Sequence, residues 1–272
     1  MHRLIQYILR QKNILHHNNE GIDVCVVKDS GVGIELALDM LYAIVDQQTA
    51  LYLSGGKTPR ELYKRLAASE LEGDKKFVPG AVGMVDERFG EPYHLRSNEL
   101  MIKETQLLRY LQMLNIPFYP VLKTQTSREE LAKAYDAKIR SLNAVFKKNI
   151  AILGIGSDGH TAGIAGDRKD FINPLFDSSQ KHLLVSEFND QEGMFKERAR
   201  PLTTERSYGE RVTMTLLGLS MMDILIVLVF GNDKREALEL MFKNGSEEEI
   251  PARFYKRSDI AGKTILITDQ SI

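Results

Sequence analysis

Short, continuously apolar segments alternate along this chain with segments whose apolar residues recur at helical spacing. Residues 50–53 and 224–230 are of the first kind, whereas residues 31–47, with Ile34 and Leu38 on one face, are of the second. Strands that are apolar at every position are typical of a parallel sheet covered on both faces, and alternation of strands with helices indicates the α/β class. The sequence therefore predicts one α/β domain over residues 1–272, with a mostly parallel sheet flanked by helices on both faces.

The same patterns predict the other elements. Further strands are expected at residues 23–27, 81–85, 117–122, 150–153, 182–185 and 264–267. Further helices are expected at residues 59–68, 97–109, 127–146 and 234–242, the third opening with the capping box Ser-Arg-Glu-Glu. Residues 187–211 are polar and rich in charge, which predicts a long surface loop.

Composition narrows the functional class. The 272 residues include 36 Lys and Arg against 37 Asp and Glu, a net charge of −1, whereas proteins that bind nucleic acid or anionic membranes usually carry a basic excess. The most apolar segment, 224–230, is far shorter than the ~20 residues that span a bilayer. Cys25 is the single cysteine, which excludes an internal disulfide and suits a reducing cytoplasm. We therefore expect a cytoplasmic protein that binds neither nucleic acid nor membrane.

The first loop that could carry chemistry follows the strand at 50–53. It contains Ser54, Gly55, Gly56, Lys57 and Thr58, and Pro59 then opens a helix. Two glycines let the backbone approach a ligand closely, and the helix N-terminus presents amide donors, so the loop predicts a phosphate site. A tight turn that needs glycine only for its geometry is the alternative. A nucleotide P-loop is excluded, because Leu51 stands where that motif requires glycine.

The second loop follows the strand at 81–85 and begins Asp86-Glu87-Arg88. Acidic side chains at the end of a buried strand are typical of a site, and Arg88 could pair with a phosphate or with a developing oxyanion. A surface ion-pair cluster is the alternative. His94 lies further along the loop, but its spacing from the acids matches no standard metal-ligand set, so a structural role is expected for it.

The third loop follows the strand at 150–153 and reads Gly154-Ile-Gly156-Ser-Asp-Gly159-His-Thr-Ala-Gly. It satisfies the pattern G-x-G-x-x-G, but a dinucleotide site also needs an acidic residue about 20 residues further on. The nearest candidate, Glu187, follows Gly159 by 28 residues. The dinucleotide interpretation is therefore the weaker one, and Ile155 excludes a nucleophile elbow.

Asp158 and His160 in this loop form the strongest candidate catalytic pair. A carboxylate beside an imidazole selects its tautomer and raises its basicity, which favours His160 as a general base acting on water or on the substrate. The alternative is a histidine that only hydrogen-bonds its own loop. Arg211, and Lys234 at a predicted helix start, are candidate phosphate ligands, since a cation at a helix start suggests a nearby anion. A solvated surface position is an equally good interpretation of both.

Together these loops resemble the 6-phosphogluconolactonases, a family related to the glucosamine-6-phosphate deaminases. The segments that carry the resemblance are LSGGKTPRELY, VDERFGEPYHLRSN, LGIGSDGHTA, ERVTMT and VFGNDKREALEL, in the order that the family shows. It covers roughly residues 51–240, with weaker similarity at 250–252. Any one motif would be modest evidence, whereas all of them in order are specific to the superfamily.

The resemblance implies a modified Rossmann-like domain of the sugar-phosphate isomerase type, a phosphosugar substrate, and no required metal or cofactor. It implies that His160 activates water against the lactone carbonyl and that Asp158 supports it. Asp86 matches an aspartate that moves substrate protons in the deaminases. The residues that match positions around the phosphate or the developing oxyanion are Gly55, Gly56, Thr58, Arg88, Arg211 and Lys234.

The chain also departs from the family pattern. Lactonases typically continue the DGHTA motif with Ser-Leu-Phe-Pro, where this chain has Gly-Ile-Ala-Gly at 163–166, and the Pro-Lys-Pro run before the arginine–threonine motif is replaced by Ser-Tyr-Gly-Glu at 207–210. Deaminases continue their DGH motif with Ile-Ala-Phe-Asn-Glu, whose glutamate serves the catalytic histidine. No glutamate occupies that position here, and Thr161-Ala162 follows the lactonase form.

The sequence thus predicts a hydrolase of the pentose phosphate pathway that opens 6-phospho-D-glucono-1,5-lactone to 6-phospho-D-gluconate. A glucosamine-6-phosphate deaminase or isomerase and a non-catalytic phosphosugar-binding protein are the alternatives. The expected partner is a small phosphosugar, with no metal or cofactor. The oligomeric state, a homo-oligomer included, is left open.

Overall fold

A computed structural model describes residues 8–12, 14–68, 77–166, 183–189 and 209–272, which contain two β-sheets. The strands are β1 (Leu15–Asn19), β2 (Ile22–Val26), β3 (Thr49–Leu53), β4 (Ala81–Met84), β5 (Asp86–Arg88), β6 (Lys148–Gly154), β7 (Val185–Asn189), β8 (Glu210–Met214), β9 (Ile224–Val229) and β10 (Thr264–Thr268). The helices are α1 (Ser30–Ile44), α2 (Lys57–Ala68), α3 (Asn98–Glu104), α4 (Leu107–Met113), α5 (Arg128–Val145), α6 (Leu216–Ser220) and α7 (Arg235–Phe242). Short 3-10 turns lie at Asn232–Lys234, Pro251–Lys256 and Ala261–Lys263.

The larger sheet has seven strands in the order β1-β2-β10-β9-β6-β3-β4. β1 lies antiparallel to β2 at one edge, and the remaining strands run parallel to one another. Every residue of β3, β9 and β10 is buried, as expected for strands covered on both faces. α1 packs against β10, and α2 packs against β6 and β9. The mostly parallel α/β sheet predicted from the sequence is confirmed.

The strand order reverses between β3 and β6, which are neighbours in the sheet. From β3 the chain continues to β4 on one side, whereas from β6 the sheet extends through β9 and β10 on the other side. In open α/β sheets, ligands bind in the crevice outside the carboxyl ends of the strands at such a reversal. The loops that follow β3 and β6, both rich in glycine, flank this crevice.

A smaller antiparallel sheet, in the order β5-β8-β7, begins where β4 ends. Val85 joins the two sheets: its N–H donates to the carbonyl of Leu53 in β3 (2.9 Å), and its carbonyl accepts from the N–H of Met214 in β8 (2.8 Å). The chain therefore passes directly from the parallel sheet into the small one. This transition places β5 and its polar side chains beside the crevice.

Helix α5 supports the small sheet from the side away from the crevice. It packs against β7 and β8, and the carboxylate of Asp136 accepts from the N–H groups of Leu184 (2.6 Å) and Val185 (3.1 Å). The predicted capping box is present, with Ser127 and Glu130 bonding each other's backbone N–H. Cys25 is buried in β2 and its thiol is free. Within the described ranges, no helix combines the length and the apolar character needed to cross a membrane.

Several predicted elements differ from the structure. The helix predicted at 97–109 is two helices, α3 and α4, because Gln106 adopts a left-handed conformation (φ 66°) between them. The strand predicted at 117–122 is wrong: only Phe118 forms a bridge, to Val82. The helix predicted from Pro59 begins two residues earlier, at Lys57.

The expectation of a long loop at 187–211 is corrected at both ends. Residues 187–189 belong to β7 and residues 210–211 belong to β8, because the two segments pair antiparallel, with Phe188 opposite Arg211 and Asn189 opposite Glu210. The strand predicted at 182–185 begins at Val185, and His182 lies outside the described residues. Residues 190–208, which make up most of the predicted loop, also lie outside them.

Candidate active site

One polar face of the small sheet looks toward the crevice. In the pairing of β5 with β8, Asp86 lies opposite Thr213 and Arg88 lies opposite Arg211. Because successive side chains of a strand point to opposite faces, these four residues share one face. The carboxylate of Asp86 is 3.5 Å from the Arg211 guanidinium. The structure thus brings together three predicted site residues from two distant segments of the sequence.

This face carries an excess of positive charge. Burial lowers the pKa of the Arg88 guanidinium, and the neighbouring positive charge of Arg211 lowers it further, whereas Asp86 and Glu87 act in the opposite direction. The positive charges of Arg88 and Arg211 therefore repel each other. Asp86 is a carboxylate on the same face and offsets part of this repulsion. Closely spaced arginines of this kind favour the binding of a carboxylate, phosphate or oxyanion.

The loop that follows β6 docks on the same face through a tight hairpin. Thr161 and Ile164 exchange backbone hydrogen bonds, and the two residues between them, Ala162 and Gly163, have φ angles of 50° and 71°. The hydroxyl of Thr213 donates to the carbonyl of Ala162 (2.6 Å). The hairpin therefore holds the third predicted loop against the small sheet, at the position where Thr213 lies opposite Asp86.

Asp158 and His160 form a close pair in this loop. Oδ1 of Asp158 lies 2.5 Å from Nδ1 of His160 and also accepts from the His160 backbone N–H (3.2 Å). Although burial alone raises the pKa of Asp158, the hydrogen bond and the charge of His160 outweigh it and hold this pKa well below its ordinary range. The two side chains are 56% and 46% exposed, so the imidazole is accessible to solvent.

The conformation around this pair is fixed by neighbouring groups. A Cβ atom at Gly156 would overlap the His160 ring and lie 2.7 Å from Oδ1 of Asp158, so only glycine leaves room for the pair. The Gly156 N–H donates to the carbonyl of His160 (2.8 Å). Thr161, at the end of the loop, donates its hydroxyl to the carbonyl of Gly154 (3.0 Å) and lies 2.6 Å from the Tyr255 hydroxyl.

The glycine loop after β3 lies across the strand reversal from this pair. Gly56 has φ 111°, which favours glycine, and α2 begins at the next residue, Lys57. The N–H groups of the first turn of a helix, here that of Thr58 among them, lack partners within the helix and carry its positive dipole. Ser54 is buried, and its hydroxyl has no hydrogen-bond partner in the described part of the chain. This geometry suits an anion.

A residue to which sequence reasoning gave no role, Asn98, links these loops. Its side-chain oxygen accepts from Nη1 of Arg88 (3.0 Å), and its side-chain nitrogen donates to the backbone carbonyl of Asp86 (2.8 Å). The same carboxamide fills the space beside Gly55. The sequence could place Asn98 at the start of a helix, because Ser97 caps α3 by accepting from the Leu100 N–H. It could not predict the contacts of the Asn98 side chain, which depend on tertiary packing.

Among the described residues, neither Lys57 nor Lys234 forms a hydrogen bond or ion pair with Asp86, Arg88 or Arg211. Lys234 is in the 3-10 turn after β9, and its ammonium lies 3.5 Å from the carboxylate of Asp233. Lys57 is exposed. His94 has a structural setting, since its Nε2 lies 3.0 Å from the carbonyl of Arg88. Glu187, the acid considered for a dinucleotide site, lies in the antiparallel sheet and pairs with Arg128, which disagrees with that interpretation.

The described residues contain no group of three or more His, Cys, Asp or Glu side chains that could hold a metal ion. Fold and site together define an α/β protein with a strand reversal, the place where such sheets bind ligands, a histidine–carboxylate pair in the loop after β6, and two arginines opposite each other on the adjoining small sheet. The chain belongs to the family described as glucosamine-6-phosphate isomerases/6-phosphogluconolactonase, whose model matches residues 34–266.

Curated relatives and solved structures agree with this assignment. The chain is 27% identical over 223 residues to the 6-phosphogluconolactonase of Rhizobium meliloti (strain 1021), covering 82% of this chain and 84% of the relative. It is 28% identical over 229 residues to that of Nostoc sp. (strain PCC 7120), covering 81% and 84%. The structure of 6-phosphogluconolactonase from Plasmodium vivax superposes with a TM-score of 0.71 at 18% identity, covering 99% of this chain and 96% of that one, which shows the fold.

Proposed function

We propose that this protein is a 6-phosphogluconolactonase, which adds water to 6-phospho-D-glucono-1,5-lactone and releases 6-phospho-D-gluconate. The observation that carries the proposal is the placement of the Asp158–His160 pair on a loop whose hairpin packs against Asp86 and Arg211. A base for water and a cationic face for an anion are thereby joined in one crevice. The names of the curated relatives support this reaction.

In the proposed mechanism His160 is the general base. The Asp158 carboxylate accepts a hydrogen bond from the Nδ1–H group, which keeps the proton on Nδ1 and leaves Nε2 unprotonated and able to take a proton from water. The water oxygen forms a bond to the lactone carbonyl carbon, and the carbonyl oxygen becomes an oxyanion. When the bond from that carbon to the ring oxygen breaks, His160 returns the proton to the ring oxygen. The products are a carboxylic acid and a hydroxyl, so one water is consumed and no other reactant is needed.

The cationic groups are assigned to binding and charge stabilisation. Arg88 stabilises the developing oxyanion, and Asp86 orients Arg211 beside it. The phosphate binds at the glycine loop and the start of α2, with Arg211 and Lys234 as further cations. The assigned phosphate ligands are Ser54, Gly55, Gly56, Lys57, Thr58, Arg211 and Lys234. Binding energy from the phosphate, which is remote from the carbonyl, orients the lactone for attack.

We further propose that residues 1–272 act as one domain, located in the cytoplasm. A phosphosugar is the substrate, and no metal or cofactor is assigned a step. The net charge of −1 gives no general attraction for nucleic acid.

The test is lactone hydrolysis above the spontaneous rate, with the lactone generated in situ from glucose-6-phosphate. His160→Ala should lower kcat by about 10²- to 10⁴-fold, the usual contribution of a general base, with little change in KM. His17→Ala, on the edge strand β1 far from the crevice, is the matched control and should keep wild-type kinetics. Wild-type kinetics in His160→Ala would remove this residue from the mechanism.

Ammonia release from glucosamine-6-phosphate is measured in parallel. Ammonia release without lactone hydrolysis would overturn the proposal in favour of a deaminase. Inactivity in both assays, with a phosphosugar still raising the melting temperature, would indicate a binding protein instead.

A further inference from the structure

We propose that Asn98 is the positioning residue of this site: its carboxamide holds Asp86 and Arg88 in place and is the reason that position 55 is glycine. The inference rests on the proposed function, because it concerns how the same site is assembled.

The two ends of the Asn98 carboxamide meet groups of opposite polarity. Oδ1 accepts from Nη1 of Arg88 (3.0 Å), while Nδ2 donates to the carbonyl of Asp86 (2.8 Å) and lies 3.4 Å from the Asp86 carboxylate. A carboxylate at this position could accept from Arg88 but could not donate to Asp86. A hydroxyl is too short to reach both. The amide is therefore the side chain whose chemistry satisfies both neighbours.

The backbone fixes where this carboxamide stands. Asn98 is only 2% exposed and is the first residue of α3. Its N–H donates to Oε1 of the buried Glu87 (2.7 Å), and the N–H of Glu99 donates to Oε2 (2.8 Å). A carboxyl group at a helix N-terminus is favourably placed for both donors. Glu87 thus anchors Asn98 from one face of β5, while Asn98 orients Asp86 and Arg88 on the other.

Gly55 is explained by the same side chain. A Cβ atom at position 55 would overlap Oδ1 and Cγ of Asn98 and lie 2.8 Å from Nδ2. The φ angle of Gly55 lies outside the left-handed region, unlike that of Gly56, so its backbone does not require glycine. The first glycine of the loop therefore makes room for Asn98, rather than only allowing a ligand to approach the backbone. Through this contact Asn98 joins the glycine loop to the arginine face.

The test compares Asn98→Asp with Asn149→Asp. Asn149 is also buried and accepts from the Tyr52 hydroxyl, but it lies at the start of β6, the end of the strand away from the crevice. Asn98→Asp should lower kcat by about 10- to 100-fold, as expected when reacting groups are displaced. Two carboxylates in contact resist being ionised together, so the acid side of its pH–activity profile should move to higher pH by about one unit.

Asn149→Asp should lower the melting temperature without moving the profile. An Asn98→Asp enzyme with wild-type kcat and profile, or one whose losses match those of Asn149→Asp, would overturn the inference. If Asn98→Asp does not fold, Asn98→Ser replaces it in the same comparison. If Gly55 acts through Asn98, the double variant Gly55→Ala/Asn98→Ser should be no less active than Asn98→Ser alone, whereas multiplied losses would contradict the link.

Binding of 6-phosphogluconate separates this inference from the proposed function. If the wild-type protein hydrolyses no lactone, the proposed function fails. The positioning role of Asn98 is then tested by binding alone: Asn98→Asp should raise the dissociation constant of 6-phosphogluconate by about fivefold or more relative to Asn149→Asp. Equal dissociation constants in the two variants would overturn the positioning role, and a wild-type protein that binds no phosphosugar would overturn both.

Discussion

Gly163 lies directly against Asp86: a Cβ atom at position 163 would stand 3.0 Å from the Asp86 carboxylate and 3.2 Å from Nη1 of Arg211. Gly163 is also the residue at which the chain departs from the family pattern, which has serine there. Its φ of 71° lies in the left-handed region, where a side chain costs roughly 1–2 kcal/mol. The glycine therefore serves both the hairpin conformation and the contact between Asp86 and Arg211.

Gly163→Ser should consequently impair both the site and the fold. The added side chain pushes on the Asp86–Arg211 contact, so kcat/KM for the lactone should fall, and the free energy of unfolding should fall by roughly 1–2 kcal/mol. Steady-state kinetics and urea denaturation measure the two effects. Gly262→Ala is the control, because no atom lies within 4 Å of a Cβ at that position. Unchanged kinetics in Gly163→Ser would show that the site tolerates a side chain there.

Asp158→Asn tests the pairing that selects the tautomer of His160. The amide can donate to Nδ1 through its NH₂ group, which favours the tautomer with the proton on Nε2, the wrong nitrogen for accepting a proton from water. We expect kcat to fall by about 100-fold or more while KM for the lactone changes little. Asp259→Asn, an exposed carboxylate that pairs with Arg257, controls for the loss of one carboxylate. Equal kcat values in the two variants would contradict a role for Asp158 in orienting His160.

The buried carboxyl of Glu87 makes stability depend on pH. Burial raises its pKa from the ordinary 4.5 to about 8, although the N–H groups of Asn98, Glu99 and Arg88 oppose this. Between these two values the folded protein holds a proton that the unfolded chain has released. The contribution of Glu87 is therefore fully present below pH 4.5 and is lost as the pH rises toward 8, by at most about 1.4 kcal/mol per pH unit.

Glu87→Gln removes this titration while keeping a group of similar shape. The difference in unfolding free energy between wild type and variant should decrease steadily from pH 5 to pH 8, as measured by urea denaturation at each pH. The exposed Glu239→Gln on α7 controls for the loss of a surface carboxylate. A difference that is flat across this range, or no steeper than that of Glu239→Gln, would disprove the prediction.

The sequence predicted the part of the molecule that follows from local pattern. The apolar strands β3, β6 and β9 and the loops after them were located because a buried parallel strand is apolar throughout. The small sheet was missed: β5 is only three residues long and reads Asp-Glu-Arg, so it has no apolar signal. β7 and β8 are separated by a long charged segment, which hid their pairing in a predicted loop.

The residues of the candidate site also differ in whether the local sequence identifies them. Asp158 and His160 were found because they are neighbours in one glycine-rich loop, and the structure places them in contact. Asn98 was not assigned a role, because its function arises from contacts with Gly55, Asp86 and Arg88, which approach it only in the folded chain. The sequence also does not predict the hydrogen bonds between the turn Pro251–Lys256 and the loop that carries His160, because these residues are far apart in the sequence.

These hydrogen bonds predict that Tyr255, which lies in the turn Pro251–Lys256, affects activity through the loop that carries His160. The Thr161 hydroxyl donates to the carbonyl of Gly154, so it must accept from the Tyr255 hydroxyl 2.6 Å away. The adjacent Ala252 N–H donates to the carbonyl of Gly159 (3.0 Å). The 3-10 turn Pro251–Lys256 thus holds the loop that carries His160 by two hydrogen bonds. Removing the bond from Tyr255 should make this loop less rigid.

Tyr255→Phe should lower the free energy of unfolding by about 1 kcal/mol and should also lower kcat, because His160 is held less firmly. Tyr110→Phe is the matched control: its buried hydroxyl donates to the backbone carbonyl of Phe77 (2.8 Å), away from the crevice, so it should cost similar stability and leave kcat unchanged. Denaturation and lactone kinetics on both variants separate the two effects. If both variants lose stability equally and neither loses activity, the turn stabilises the fold without positioning His160.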